Sequence, residues 1–337
     1  MKTTTITQFA STNERGKFKS VSTKITPLSH HEILIKILAC GVCHTDCMFM
    51  GRDGDVLGHE PVGEIVEKGS SVERLSVGDI VGTSFLKSAC LDCRECNSGQ
   101  DIMCKHRIMF PEGNMNGFAE HQVCDSRFAY KLPDGMEPKY AGPLFCAGVT
   151  VFNALYTSKI SPTGRVAVIG IGGLGHLALQ FCRAWGVHCT AISRSFSKKE
   201  EALSFGAHDF LASKDFTPEY IEKLDKYDII INTVSGDLDW DLYLSLLNRN
   251  GTFYLIGVPD SSIEIKNTGA LLTDQKAIRG SLVGGRYVME LMLVFAQRHH
   301  IKPKIEEYPL DLEGLHAAIE RCEKGQARYR AVLVAKQ

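Results

Sequence analysis

The sequence predicts a mixed α/β chain in two parts, an irregular, turn-rich β region followed by a doubly wound parallel sheet. Three observations carry this reading. Up to about residue 150, short β-branched runs alternate with Gly and Pro. From Arg165 an apolar strand runs into a Gly-rich turn and then a helical pattern. Beyond it, strand-like and helix-like segments alternate, the signature of right-handed βαβ crossovers. The 337 residues suffice for two ordinary domains, and 44% hydrophobic with 23% charged residues is a globular composition. A formal net charge of -1 leaves no basic excess for phosphate backbones or anionic membrane surfaces, which argues against a nucleic-acid partner.

In the first part, residues 32–38, 62–67 and 78–82 read as strands. Between the first two lies the densest chemistry, Cys40-Gly-Val-Cys43-His44-Thr45-Asp46, closing with Gly58-His59-Glu60-Pro61. Cys43 and His59 are of the types that bind zinc, which takes thiolate sulfur and neutral imidazole nitrogen. One more protein ligand would leave a fourth position open to water or substrate, the arrangement of a catalytic zinc. Cys40 and Cys47 are rival thiols, and a packed core thiol is the plain alternative for each. Cys146, in the apolar run Pro143-Leu-Phe-Cys-Ala-Gly-Val-Thr150, is either such a core thiol or the third ligand. Taken with Cys43 and His59, ligation is the better reading.

Cys90, Cys93, Cys96 and Cys104 follow the spacing C-x2-C-x2-C-x7-C within a polar stretch. Four thiols so placed are most simply a closed tetrahedral site with a structural role, since no position stays open. An iron-sulfur cluster is the competing account, but the long last spacing does not match the short ferredoxin run.

In the second part, the strand from Val166 ends in Gly170-Ile-Gly172-Gly173-Leu174-Gly175, and a helix follows over residues 176–185. A G-x-G-x-x-G between strand and helix is the context in which backbone amides cradle a pyrophosphate. The next strand, 188–192, ends in Ser193-Arg194-Ser195, with Lys198 and Lys199 close behind. A carboxylate there would bond the ribose 2′-hydroxyl of NAD, whereas Ser and Arg suit the 2′-phosphate of NADP(H). A solvated basic turn is the alternative. Further strands are predicted at 228–232, 252–257 and 277–282, with helices at 198–205, 238–248, 286–298 and 312–322. A closing strand over 329–334 could rejoin the first part. The first domain is then discontinuous, 1–150 with 286–337, around a dinucleotide-binding domain at 151–285. Strand 277–282 could be an edge that pairs across a two-fold axis.

The start of the chain lacks the apolar run of a signal peptide, and no segment has the length of a membrane span, so a cytoplasmic location is expected. In that reducing setting the twelve cysteines read better as metal ligands than as disulfides.

Together these motifs resemble the zinc-dependent alcohol dehydrogenases of the medium-chain dehydrogenase/reductase family, over essentially the whole chain. The likeness rests on Cys-Gly-Val-Cys43-His-Thr-Asp46, Gly-His59-Glu60, the four-cysteine lobe, Leu-Phe-Cys146-Ala-Gly-Val-Thr150, the glycine turn and the closing Arg-Tyr-Arg330. The Ser-Arg-Ser turn and the Tyr-Arg ending are similar to the NADP(H)-using cinnamyl-alcohol-dehydrogenase-like branch, and the lobe to bacterial alcohol dehydrogenases. The resemblance implies a GroES-like catalytic domain plus a Rossmann domain, and two zinc ions per chain. The catalytic zinc would sit on Cys43, His59 and Cys146, with Glu60 as an occasional ligand. Thr45 would hydrogen-bond the substrate oxygen and Asp46 would orient His59. His44, grouped with these two as catalytic, would help Arg330 hold the pyrophosphate. Gly170, Gly172, Gly173, Leu174, Gly175 and Thr150 would bind the cofactor together with Ser193, Arg194, Ser195 and Lys198.

The implied reaction is reversible hydride transfer between NADP(H) and a primary alcohol or aldehyde, in a homo-oligomer. Two departures from the family pattern stand out. Eleven residues separate Asp46 from Gly58, fewer than usual, and Met48 stands where a relay His is common. The run Met48-Phe49-Met50 could line an apolar pocket for aliphatic or aromatic aldehydes, or pack in the core. Two rivals compete, a zinc-free quinone or enone reductase on the same fold and a non-catalytic cofactor-binding protein. The first would not need Cys43, His59 and Cys146 together, and the second would more naturally show a damaged ligand set.

Overall fold

The apolar runs of the N-terminal part form strands, most of them longer than their sequence signal. The computed structural model describes residues 4–113 and 116–336. A polar-faced hairpin, β1 (Thr4–Ser11) with β2 (Phe18–Ile25), leads into β3 (Glu32–Val42). Ile33, Ile35 and Ile37 share one face of β3 by the two-residue period and are fully buried. β3 delivers the chain directly into the short helix α1 (His44–Met48), and β4 (Glu60–Lys68) returns antiparallel to β3. The register pairs Gly41 with Glu60 and Cys40 with Pro61, so both ends of the Cys40–Pro61 stretch meet at one place.

There follow β5 (Ile80–Thr83), β6 (Leu86–Ser88), α2 (Arg94–Asn97) inside the four-cysteine lobe, β7 (Ile108–Met109), β8 (His121–Asp125), β9 (Ala129–Lys131), α3 (Pro138–Ala141) and α4 (Ala147–Ser158).

The second region holds β10 (Arg165–Ile169), α5 (Gly175–Trp185), β11 (His188–Ser193), α6 (Lys199–Ser204), β12 (Asp209–Ala212), α7 (Pro218–Glu222), β13 (Tyr227–Asn232), α8 (Trp240–Leu244), β14 (Leu247–Leu255), α9 (Thr268–Thr273) and β15 (Ala277–Gly280). Among the described residues these six strands form one parallel sheet in the order β12-β11-β10-β13-β14-β15. This is the predicted Rossmann-type sheet. Two details differ from expectation. The helix expected over 238–248 ends at Leu244, because Leu247 already pairs with Tyr227 ahead of an irregular register. The left-handed Asn250 at φ 60 takes up the extra residues. Strand β12, four residues opening on an exposed Asp, carries too short an alternation to be seen in sequence.

Helix α10 (Arg286–Arg298), β16 (Ile305–Pro309), α11 (Leu312–Glu323) and β17 (Arg330–Val334) complete the chain. β17 pairs antiparallel with β3, so the last strand does rejoin the first sheet, in the order β16-β17-β3-β4-β5-β9 with β8 also on β3. The described residues thus divide into two units, 4–149 with 284–336, and Thr150–Val283. A core of Ile33, Ile35, Ile37, Leu57, Phe118, Leu315 and Leu333, among others, fills the first.

Candidate active site

The β3/β4 register sets the first cluster. Gly41 lies opposite Glu60, and a Cβ on Gly41 would stand 1.8 Å from Glu60 Oε2, so only glycine leaves room for that carboxylate. Cys43 caps α1 at its N-terminus, and His59 immediately precedes β4. Cys146 immediately precedes α4. Phe145 packs on Gly82, where a Cβ would meet the ring at 2.1 Å, and this contact seats the next residue. Cys43 Sγ and Cys146 Sγ lie 4.0 Å apart, and with His59 and Glu60 their ligand atoms all fall within 4.8 Å of one another, every one buried.

Asp46 organises this cluster at zero exposure. Its Oδ2 accepts from the Cys43 amide at 2.9 Å, and its Oδ1 accepts from the Gly58 amide at 3.0 Å and from His59 Nδ1 at 2.9 Å. With Nδ1–H donating to Asp46, the lone pair of His59 Nε2 faces the thiols, and that buried nitrogen has no hydrogen-bond partner. Burial alone would push the His59 imidazolium down, but Asp46, by charge and by hydrogen bond, raises it. A hydrogen bond from Cys146 holds the Cys43 thiol well below its usual range against the opposing effect of burial. The same bond, with burial, drives Cys146 up. The two sulfurs and the His59 Nε2 nitrogen thus converge on one buried spot, and the donor set fits a zinc ion.

Glu60 sits 3.9 Å from His59 Nε2 and forms a buried ion pair with Arg330. Burial lifts its carboxyl to about 7, with Arg330 opposing. Arg330, expected near the pyrophosphate, is 4% exposed and engaged with Glu60 here. The half-buried Thr45 places Oγ1 3.7 Å from Cys43 Sγ, and His44 is exposed. The rival thiols stand elsewhere. Cys40 donates to the Gly41 carbonyl within the core, and Cys47 contacts Cys322. Met50 is 8% exposed and belongs to the core, so only Met48 and Phe49 of the expected apolar run face outward.

Sequence reasoning missed Phe85 and Phe110, whose rings pack 5.8 and 4.7 Å from the His59 ring, with Phe49 edge-on to Phe110 at 5.6 Å. Nothing in their spacing marks them, because loops bring them in.

In the lobe, Cys90, Cys93, Cys96 and Cys104 likewise gather their sulfurs within 4.8 Å. Amides of Asp92 and Cys93 point at Cys90 and pull its thiol down to about 6, and the Cys90 and His106 amides point at Cys104 Sγ. Amides aimed at sulfur suit thiolates bound to a metal.

In the second unit each glycine of the turn has its own reason. Gly170 has φ 86, a Cβ on Gly172 would meet open space, and a Cβ on Gly175 would stand 1.8 Å from the Gly170 carbonyl oxygen. Open room at Gly172 and the close packing of Gly175 under α5 are what a dinucleotide pyrophosphate requires. Thr150 is buried at the start of this unit. Arg194 is exposed at the end of β11 beside half-buried Ser193 and Ser195. The Lys198 ammonium donates to the Ile171 carbonyl at 2.6 Å, inside the turn.

A GroES-like β domain with a buried Cys-His-Cys cluster, joined to a Rossmann sheet with a glycine cradle, defines a zinc-binding dehydrogenase. The family model of the alcohol dehydrogenase GroES-like domain matches residues 29–134, and that of the zinc-binding dehydrogenase matches residues 173–298. An aldehyde reductase AdhA from Synechocystis sp. is 38% identical over 335 residues, covering 97% of this chain and 98% of its own. Cinnamyl alcohol dehydrogenase 1 of Ocimum basilicum is 37% identical over 317 residues, covering 90% and 88%. Among solved structures, a Sorghum bicolor cinnamyl alcohol dehydrogenase superposes with a TM-score of 0.90 at 30% identity, covering 98% of each chain. A Helicobacter pylori counterpart, solved with NADP(H), gives 0.87 at 27% identity, covering 99% of each. The chain belongs to the zinc-binding alcohol dehydrogenases of the medium-chain dehydrogenase/reductase family, and its activity is that of an alcohol or aldehyde dehydrogenase.

Proposed function

We propose that this protein transfers hydride reversibly between NADP(H) and a primary alcohol or aldehyde, working chiefly as a reductase of apolar aliphatic or aromatic aldehydes. The observation that carries the reading is the buried set of Cys43, Cys146 and an unpartnered His59 Nε2, with the Thr45 hydroxyl beside it. A zinc ion held by Cys43, His59 and Cys146 would polarise the substrate oxygen. Asp46 keeps the imidazole oriented, and Thr45 hydrogen-bonds the substrate oxygen and passes it a proton in reduction. Phe85 and Phe110 shield the imidazole from water, Phe49 packs on Phe110 beyond them, and this aromatic lining favours apolar substrates. Glu60 is the occasional further ligand, held off by Arg330. The four-cysteine lobe takes a second, structural zinc. An intact cysteine and histidine set is what a zinc-free reductase or a non-catalytic relative has no need to keep.

Ser193, Arg194 and Ser195 receive the 2′-phosphate, since a guanidinium can pair with it where a carboxylate would repel it. Support comes from the cinnamyl alcohol dehydrogenase neighbour solved with NADP(H). Twelve free thiols suit a reducing compartment. Among the described residues no helix is long and apolar enough to cross a membrane. The exposed outer strand β15 is the edge that a second copy would cover. Steady-state kinetics test the assignment. An exposed charge-assisted hydrogen bond contributes roughly 1.5 kcal/mol, about tenfold. Arg194→Ala should therefore lower kcat/KM for NADPH about tenfold or more and leave NADH kinetics unchanged. Equal kcat/KM for both cofactors in the unmodified enzyme, or no effect of the substitution, overturns it.

A further inference from the structure

Cys47 and Cys322 form a thiol pair outside both metal clusters. Cys47 follows Asp46 in α1 and is fully buried. Cys322 lies in the last turn of α11, half-buried, and packs on the same core as Cys47. Cys322 Sγ also lies 4.0 Å from the carbonyl of Val42, the residue before Cys43. Helix α1 packs on α11, and there the two side chains touch; this contact, burial, and the charges of Asp46 and Glu323 push Cys47 far up.

We infer that Cys47 and Cys322 are a reversible oxidation site, which a peroxide closes to an intramolecular disulfide that ties α1 to α11 and slows turnover. Cys322 has the solvent access. Its thiolate attacks one peroxide oxygen to give a sulfenic acid, and the other oxygen leaves as hydroxide and is protonated to water. The Cys47 sulfur then attacks the sulfenic sulfur, and its proton departs with the oxygen as a second water. Two thiols and one hydrogen peroxide yield one disulfide and two waters. A disulfide of about 2 Å is shorter than any non-bonded sulfur contact, so the two side chains must draw together. Helix α1 has five residues and α11 has twelve, so α1 is the part that yields. Any shift of α1 reaches Asp46, whose carboxylate holds Cys43, Gly58 and His59.

The test uses the full-length enzyme freed of reductant, treated with graded hydrogen peroxide, alkylated and peptide-mapped, with aldehyde reduction assayed in parallel. A linked peptide pair carrying Cys47 and Cys322 should form as kcat falls about tenfold or more, since a misplacement near 1 Å can cost that much. A phosphine reductant should restore both. Cys322→Ser should keep basal activity and lose both responses, and Cys47→Ala should do the same should the first variant fold poorly. Cys182 and Cys189, a touching but fully buried pair in the second unit, should stay reduced as an internal control. Oxidation of Cys43, Cys146 or the lobe before the pair links overturns the inference. So does a linked enzyme with unchanged kcat, or a Cys322→Ser variant as peroxide-sensitive as the parent. The mapping stands apart from cofactor or substrate choice, so a wrong functional assignment would not mimic a failure here.

Discussion

Replacing Asp46 by Asn keeps its size and removes its charge, at a fully buried carboxylate that accepts three hydrogen bonds. An amide offers one oxygen. If that oxygen stays in the Oδ1 position, Gly58 and His59 keep an acceptor but the Cys43 amide then faces an NH2 group. Loss of one charge-assisted bond costs about 1.5–3 kcal/mol, and an unsatisfied buried amide costs about 1–3 kcal/mol more. With partial relaxation a loss of roughly 3 kcal/mol is expected, a large share of the 5–15 kcal/mol typical of a folded domain. Because His59 also loses its charged partner, zinc affinity at the Cys43-His59-Cys146 site should fall about 10- to 100-fold, that is about 1.4–2.7 kcal/mol. Urea unfolding of the metal-free protein reads the first quantity, and competition with a chromophoric chelator reads the second. A variant within about 0.5 kcal/mol of the parent, the range of an ordinary surface change, and with parental zinc affinity would refute this account of Asp46.

The two glycines of the cofactor turn should separate folding from binding. Gly172→Ala, with open space around it, should leave the melting temperature unchanged while weakening NADPH binding, and Gly175→Ala, 1.8 Å from the Gly170 oxygen, should lower both. Thermal melts and cofactor fluorescence titration check this, and equal melting temperatures for the two variants would contradict it. Lys87 is half-buried, with its ammonium on the Glu112 and Asn116 oxygens, and burial lowers it to about 8. The free amine therefore predominates above that pH, and trace acetylation of Lys87 should rise with a midpoint near pH 8. A midpoint above about 10, the ordinary lysine value, would show that the burial is relieved in solution.

Chemistry-bearing residues were legible wherever neighbours in sequence act together. The Cys90–Cys104 spacing and the glycine turn between a strand and a helix are local patterns, because a cysteine knuckle or a helix N-terminus is built from one short stretch of chain. The strand and helix order of the Rossmann region could be read for the same reason, as period-two and period-3.6 patterns are local. What the tertiary structure alone decided lies across long separations. Cys146 stays ambiguous in sequence and meets Cys43 where the neighbouring Phe145 packs on Gly82. Met50 turns into the core while Met48 and Phe49 face outward, Arg330 pairs with Glu60, and Lys198 folds back onto Ile171. Phe85 and Phe110 reach His59, and Cys322 reaches Cys47, through contacts that no periodicity records. Burial and pairing energies are set by three-dimensional neighbours, and residues far apart in the chain become neighbours only when β17 closes on β3 and β4 folds back to set Glu60 against Gly41.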